Sequence, residues 1–90
     1  MKKEHSAETL IEFPCHYQFK VVGAGGEQFR NAVVAAVERS LPVSADAVKV
    51  KPSKTGSYQS VSVVVTVHNY DQLKSIYADL RLVDGVQMLL

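Results

Sequence analysis

Tyr58-Gln59-Ser60-Val61-Ser62-Val63-Val64-Val65-Thr66-Val67-His68 decides the fold. Val61, Val63, Val65 and Val67 fall on one face of an extended chain, and Ser60, Ser62, Val64, Thr66 and His68 on the other. A period of two with β-branched residues at the apolar positions specifies a half-buried strand rather than a helix. Immediately upstream, Pro52-Ser53-Lys54-Thr55-Gly56-Ser57 is turn chemistry. Before that turn, Ala47 to Lys51 reads as a short strand in which Val48 and Val50 alternate with Lys49 and Lys51. Two strands joined by such a turn predict an antiparallel hairpin.

Downstream, Asn69 followed by Gln72 has the form of a capping box. Leu73, Ile76, Tyr77 and Leu80 then make a helical stripe, and Gly85 precedes a last strand, Val86 to Leu90. Upstream of the hairpin, Phe29, Val33, Ala36 and Val37 mark a helix from about Glu27 to Leu41 that Pro42 stops. Glu27 in its first turn and Arg39 near its last suit the helix dipole. The glycine-rich stretch 23–26 separates this helix from a first strand, Cys15 to Gly23, with Tyr17, Phe19 and Val21 on one face. The order strand–helix–strand–strand–helix–strand predicts an α+β, ferredoxin-like βαββαβ sandwich: a four-stranded antiparallel sheet with two helices on one face. Those helices cover Tyr17, Phe19 and Val21 with the odd-numbered valines of 61–67. Gln18, Lys20, Lys49, Lys51, Ser60, Ser62, Val64, Thr66, Gln87 and Leu89 are expected on the open face.

The bulk numbers agree with one small domain over residues 10–90, preceded by a mobile polar tail at 1–9. Of the 90 residues, 47% are hydrophobic, which places the chain among globular proteins. Ten Lys+Arg stand against nine Asp+Glu, so no bulk field directs the chain to nucleic acid or to an anionic membrane. A lone Cys15 forms no internal disulfide, and the start has no long apolar stretch, so a cytoplasmic setting is expected. Leu10-Ile11-Glu12-Phe13-Pro14 is apolar and ends in proline, and is expected to be extended and packed across the domain edge.

Leu10 to Pro14, then Tyr17-Gln18-Phe19-Lys20-Val21-Val22-Gly23, then Lys51 to Val61, and finally Asp84 to Leu90 together resemble the YbeD-like family of small bacterial proteins of unknown function. The resemblance runs from about residue 10 to the C-terminus. It implies a βαββαβ fold similar to the ACT-type regulatory domains of amino-acid metabolism, in a bacterial cytosol. It also implies a protein partner, an octanoyltransferase of lipoate synthesis. No catalytic residue comes with it.

Two stretches are candidate sites. Gly23, Ala24, Gly25 and Gly26 lie between a strand and a helix start, where backbone N–H groups can hold an anion or carboxylate. The corresponding loop of ACT-like domains contacts an amino-acid effector. No Gly-Lys-Ser/Thr follows, so this is not a phosphate loop. The second candidate is a basic hairpin for a protein partner: Lys49, Lys51 and Lys54 with Gly56 and Tyr58. RNA recognition on this topology needs stacking aromatics on the open face, where Ser60 and Ser62 stand and only Tyr58 is aromatic, so no nucleic-acid partner is expected. An acylphosphatase-like hydrolase would use a glycine loop followed by Phe29-Arg30, but its strand asparagine has no counterpart, since Asn31 and Asn69 both sit at helix positions. His5, His16 and His68 show no ligand spacing, and Cys15 and His16 as strand neighbours point apart, so neither metal, cofactor nor nucleophile is expected. The reading is a non-catalytic regulatory or adaptor domain acting by protein contact through 51–58 and the open sheet. The alternative within the class is a sensor of an amino acid or small acid at Gly23–Gly26. Two open sheet edges point to a homodimer by strand pairing.

Overall fold

The computed structural model describes residues 12–90. The expected tail at 1–9, with Leu10 and Ile11, lies outside the described residues. The order is β1 (Cys15–Ala24), α1 (Glu27–Glu38), a 3-10 turn (Ala45–Ala47), β2 (Val48–Pro52), β3 (Tyr58–Val67), α2 (Tyr70–Arg81) and β4 (Val86–Leu89). The strands form one sheet in the order β2-β3-β1-β4, with every neighbouring pair antiparallel. This is the ferredoxin-like arrangement that the alternating pattern of 58–68 implied.

The core lies between the sheet and both helices. Phe19, Val21, Val61, Val63, Val65 and Val67 contribute from the sheet. Phe29, Val33, Ala36 and Val37 come from α1, and Leu73, Ile76 and Leu80 from α2. Each helix therefore buries the stripe that its period of three and four defines. Phe13 packs against this core, and the chain bends at Phe13 and Pro14 instead of running extended as expected.

The end of α1, the limits of β2 and the facing of Leu89 differ from expectation. Helix α1 stops at Glu38, three residues early. Pro42 has no N–H and disfavours helical geometry at the residue before it. The chain therefore leaves the helix with the amides of Ser40 and Leu41 both donating to the carbonyl of Val37. Arg39 thus lies just past the helix, 3.8 Å from Asp79 of α2. Ala47, expected to open β2, instead closes the 3-10 turn, so the strand begins at Val48 and reaches Pro52. Leu89 pairs with Val21 and packs on the helix side, while Met88 pairs with Val22 and faces out. The register shift between Val22 and Gly23 breaks the alternation that would have put Leu89 on the open face.

The start of α2 follows the predicted cap, with one change. The amide of Gln72 donates to the Asn69 side chain at 2.8 Å. The Gln72 side chain reaches back to the amide of His68, one residue before the cap.

At one end of the core, Tyr17, Phe19 and Tyr77 form an aromatic cluster in which the Tyr17 and Tyr77 hydroxyls meet at 2.8 Å. Burial, and then the hydrogen bond with Tyr17, hold the Tyr77 phenol well above the ordinary tyrosine range. The folded state thus prefers the protonated phenol. The resulting stability is fully present below the unfolded pKa of about 10 and is lost as pH rises above it. Urea unfolding of the wild type and Tyr77→Phe should show a stability difference that is constant to about pH 10 and shrinks above it. A difference that stays flat across that range would disprove the coupling.

Candidate functional site

The two candidate sites, far apart in sequence, are one structure. Strand β1 pairs with β3 along its whole length, from Cys15 opposite Val67 to Ala24 opposite Tyr58. The glycine stretch that ends β1 therefore lies beside the turn that begins β3. The amide of Gly25 donates to the carbonyl of Ser57 at 3.0 Å. A side chain at Gly25 would run into the backbone carbonyl of Gly56, so this glycine lets two backbones touch. Gly23 is filled in the same way by the Phe29 ring and the Gly85 carbonyl. Gly26, at a φ of 102°, turns the chain into α1.

Gln59 fastens the two segments. It is 5% exposed, the only buried polar residue among those described. Its side-chain nitrogen donates to the carbonyls of Ala24 and Gly26, each at 2.7 Å. Sequence reasoning passed over Gln59, although its odd number places an amide on the helix side of β3, in line with Val61. A polar side chain on a buried face requires partners, and the neighbouring loop supplies them.

The hairpin is closed by its own hydrogen bonds. Ser53 and Tyr58 bond across it, the amide of Gly56 closes the turn onto the Ser53 carbonyl, and the Ser53 hydroxyl accepts from the amide of Tyr58. Gly56 takes a φ of 77°, a conformation that costs most residues but not glycine. Lys54 and the 51% exposed Tyr58 project from this turn.

The open sheet face continues the basic surface. Lys49 and Lys20 flank Ser62 in one row, and Lys51 lies beside Ser60 in the next. All three lysines are exposed, and none of the four strands contains an Asp or Glu. Among the described residues the acidic groups sit in the helices and connections, so a chain of nearly balanced charge carries a cationic face.

The glycine loop borders a groove of about 530 Å³ whose wall includes Gln28, Leu82 and Asp84. The loop amides of Ala24 and Gly25 are already engaged by Gly85 and Ser57. Elsewhere, Arg30 donates to the neighbouring Asn31 side chain at 2.9 Å, and Asn69 caps α2, so each has a local role. Cys15 is half-buried, and His16 meets the Thr66 hydroxyl at 3.1 Å. No helix among the described residues is long and apolar enough to cross a membrane.

A family model described as protein of unknown function (DUF493) matches residues 8–90. The chain belongs to the DUF493 family. A UPF0250 protein of Shewanella sp. strain ANA-3 is 41% identical over 83 residues, covering 92% of this chain and 93% of its own. A UPF0250 protein of Yersinia enterocolitica is 40% identical over 81 residues, covering 90% and 92%. The resemblance seen in the sequence is thus to the right family of small bacterial proteins.

Among solved structures, protein HP0495 from H. pylori superposes with a TM-score of 0.67 at 18% identity over 98% of both chains. The ACT domain of the GTP pyrophosphokinase of Chlorobium tepidum superposes with a TM-score of 0.66 at 16% identity, over 84% of this chain and 83% of that one. At such identities these neighbours show that this DUF493 member has an ACT-like ferredoxin fold.

Proposed function

We propose that this DUF493 protein is a non-catalytic regulatory or adaptor module of the bacterial cytosol that binds an acidic protein surface. The observation that carries the reading is the segregation of charge: Lys20, Lys49 and Lys51 on an open face whose strands hold no carboxylate, continued by Lys54 on the hairpin. Such a face attracts an acidic partner and orients it, although each exposed pair contributes only about 0.2–1 kcal/mol. The hairpin adds an exposed aromatic, Tyr58, beside that face, a side chain with few rotatable bonds of the kind enriched at interfaces. The stitched loop of Gly23–Gly26 serves in this reading as the buttress of the hairpin. Its kinship in shape to the ACT domain of a GTP pyrophosphokinase is in keeping with a regulatory part.

The first partner to test is an octanoyltransferase of lipoate synthesis. Purified octanoyltransferase is titrated into isotope-labelled protein and the amide spectrum is followed. Shifts confined to Lys20, Lys49–Tyr58 and the strands beside them, lost in a Lys20→Glu/Lys49→Glu/Lys51→Glu variant and retained in Arg30→Ala, are expected. An unmoved spectrum removes this partner. Binding that survives the triple reversal removes the cationic face as the site.

A further inference from the structure

We propose that the outer edge of β2 receives an extended partner segment of alternating acidic and apolar side chains, which adds to the sheet as a fifth strand. This rests on the reading of the open face as an acidic-partner surface, and it names the form of that partner.

Strand β2 stands at the end of the sheet and pairs only with β3, so among the described residues its outer side is free. The hydrogen-bond alternation of an antiparallel pair determines which backbone groups point outward. Ser53 bonds to Tyr58 across the hairpin, so the bonded positions continue at Lys51 opposite Ser60 and Lys49 opposite Ser62. Val48 and Val50, at the intervening positions, turn their N–H and C=O groups away from β3. Pro52 falls at the next outward position, where its missing N–H costs no ladder bond. The Val48 amide already donates to the carbonyl of Ala45 in the 3-10 turn, so the edge offers one donor–acceptor pair, at Val50, with the Val48 carbonyl as a further acceptor, and stops at a proline.

The side chains define what fits there. Val48 and Val50 lie on the helix side, where Val48 packs against the core and Val50 is 41% exposed. Lys49 and Lys51 lie on the open side and are fully accessible to a neighbouring strand. A strand laid against this edge would exchange both backbone bonds with Val50 and donate a third to the Val48 carbonyl. Its residue opposite Lys49 would occupy a non-bonded pair, in which side chains approach most closely. An acidic residue at that place, with apolar residues on either side, complements the edge on both faces.

A second copy does not fit. Antiparallel self-pairing here would set the lysines of both chains together on one face, and like charges across a ladder are destabilising. The lysines and proline that deter self-association thus also select an acidic strand. Strand β4, at the opposite edge, carries no charge at all and makes the natural control.

The test uses the whole chain, isotope-labelled, and a capped peptide of four Glu-Val repeats. Addition of the peptide should slow hydrogen exchange of the Val50 amide and shift Lys49 and Lys51, leaving the β4 amides unmoved. The Lys49→Glu/Lys51→Glu variant should weaken binding by about tenfold or more. Val50→Pro, which removes an outward N–H and leaves both charges, should abolish it. A block peptide of the same composition, with all Glu preceding all Val, should bind at least about tenfold more weakly. Shifts over the open face at Gln18, Ser62 and Val64 without protection of Val50 would overturn strand addition while leaving the acidic-surface reading intact. Equal binding of the block peptide, protection at β4, or no response to the repeat peptide would each overturn the proposal. The octanoyltransferase titration judges the broader reading separately.

Discussion

Phe19→Ala is expected to be the most destabilising single truncation, lowering the unfolding free energy by about 3–5 kcal/mol. The ring has no exposure and sits on the central strand β1, opposite Val63 of β3. Its centroid lies 4.9 Å from that of Tyr17 and 5.0 Å from that of Tyr77, both in tilted or edge-on geometry. Truncation removes the transfer free energy of the ring, leaves a cavity that the sheet cannot close, and strips two aromatic contacts. A small domain has a total stability of only about 5–15 kcal/mol, so the variant should be marginal at room temperature. Urea unfolding followed by circular dichroism measures it. A loss below about 1.5 kcal/mol would mean that the ring is not the centre of the core.

Gln59→Leu is expected to cost about 1–3 kcal/mol, and in a different way. Leucine keeps most of the volume but withdraws the donor from the carbonyls of Ala24 and Gly26. Ala24 and Gly26 are exposed, so water partly replaces the lost donor and the cost stays near the net worth of the two hydrogen bonds. The loss should be felt first where the glycine loop meets the hairpin. Hydrogen exchange at Gly25, whose amide bonds to Ser57, should quicken more than exchange in the middle of β1 or β3. Uniform acceleration across the sheet would show that Gln59 acts on global stability alone and does not hold the loop to the hairpin. The comparison with Phe19→Ala is informative, since that variant should accelerate exchange throughout the sheet.

A functional consequence follows for the basic hairpin. If its usefulness depends on rigidity, Gln59→Leu should weaken partner binding without altering any charge on the open face. The lysine reversals act in the opposite manner, changing charge while leaving the loop contacts in place.

The alternation in 58–68, the stripes at 29–37 and 73–80 and the glycine and proline breaks were enough to determine the element order and nearly the whole core. Each is a local periodicity, and burial follows from it because a strand repeats every two residues and a helix every 3.6. The pairing of the Lys49 and Lys51 side chains on one strand face was legible for the same reason. Other features depended on which segments meet. The β1–β3 register puts Ala24 beside Tyr58, and only that register turns two separate candidate stretches into one end of the molecule. The role of Gln59, the contact of Gly25 with Gly56 and the helix-side position of Leu89 all follow from contacts between residues distant in the chain or from a register shift. The sheet order likewise segregates the charges: near-neutral composition hid a cationic face because net charge sums over the chain, whereas a partner meets only the side that folding turns toward it.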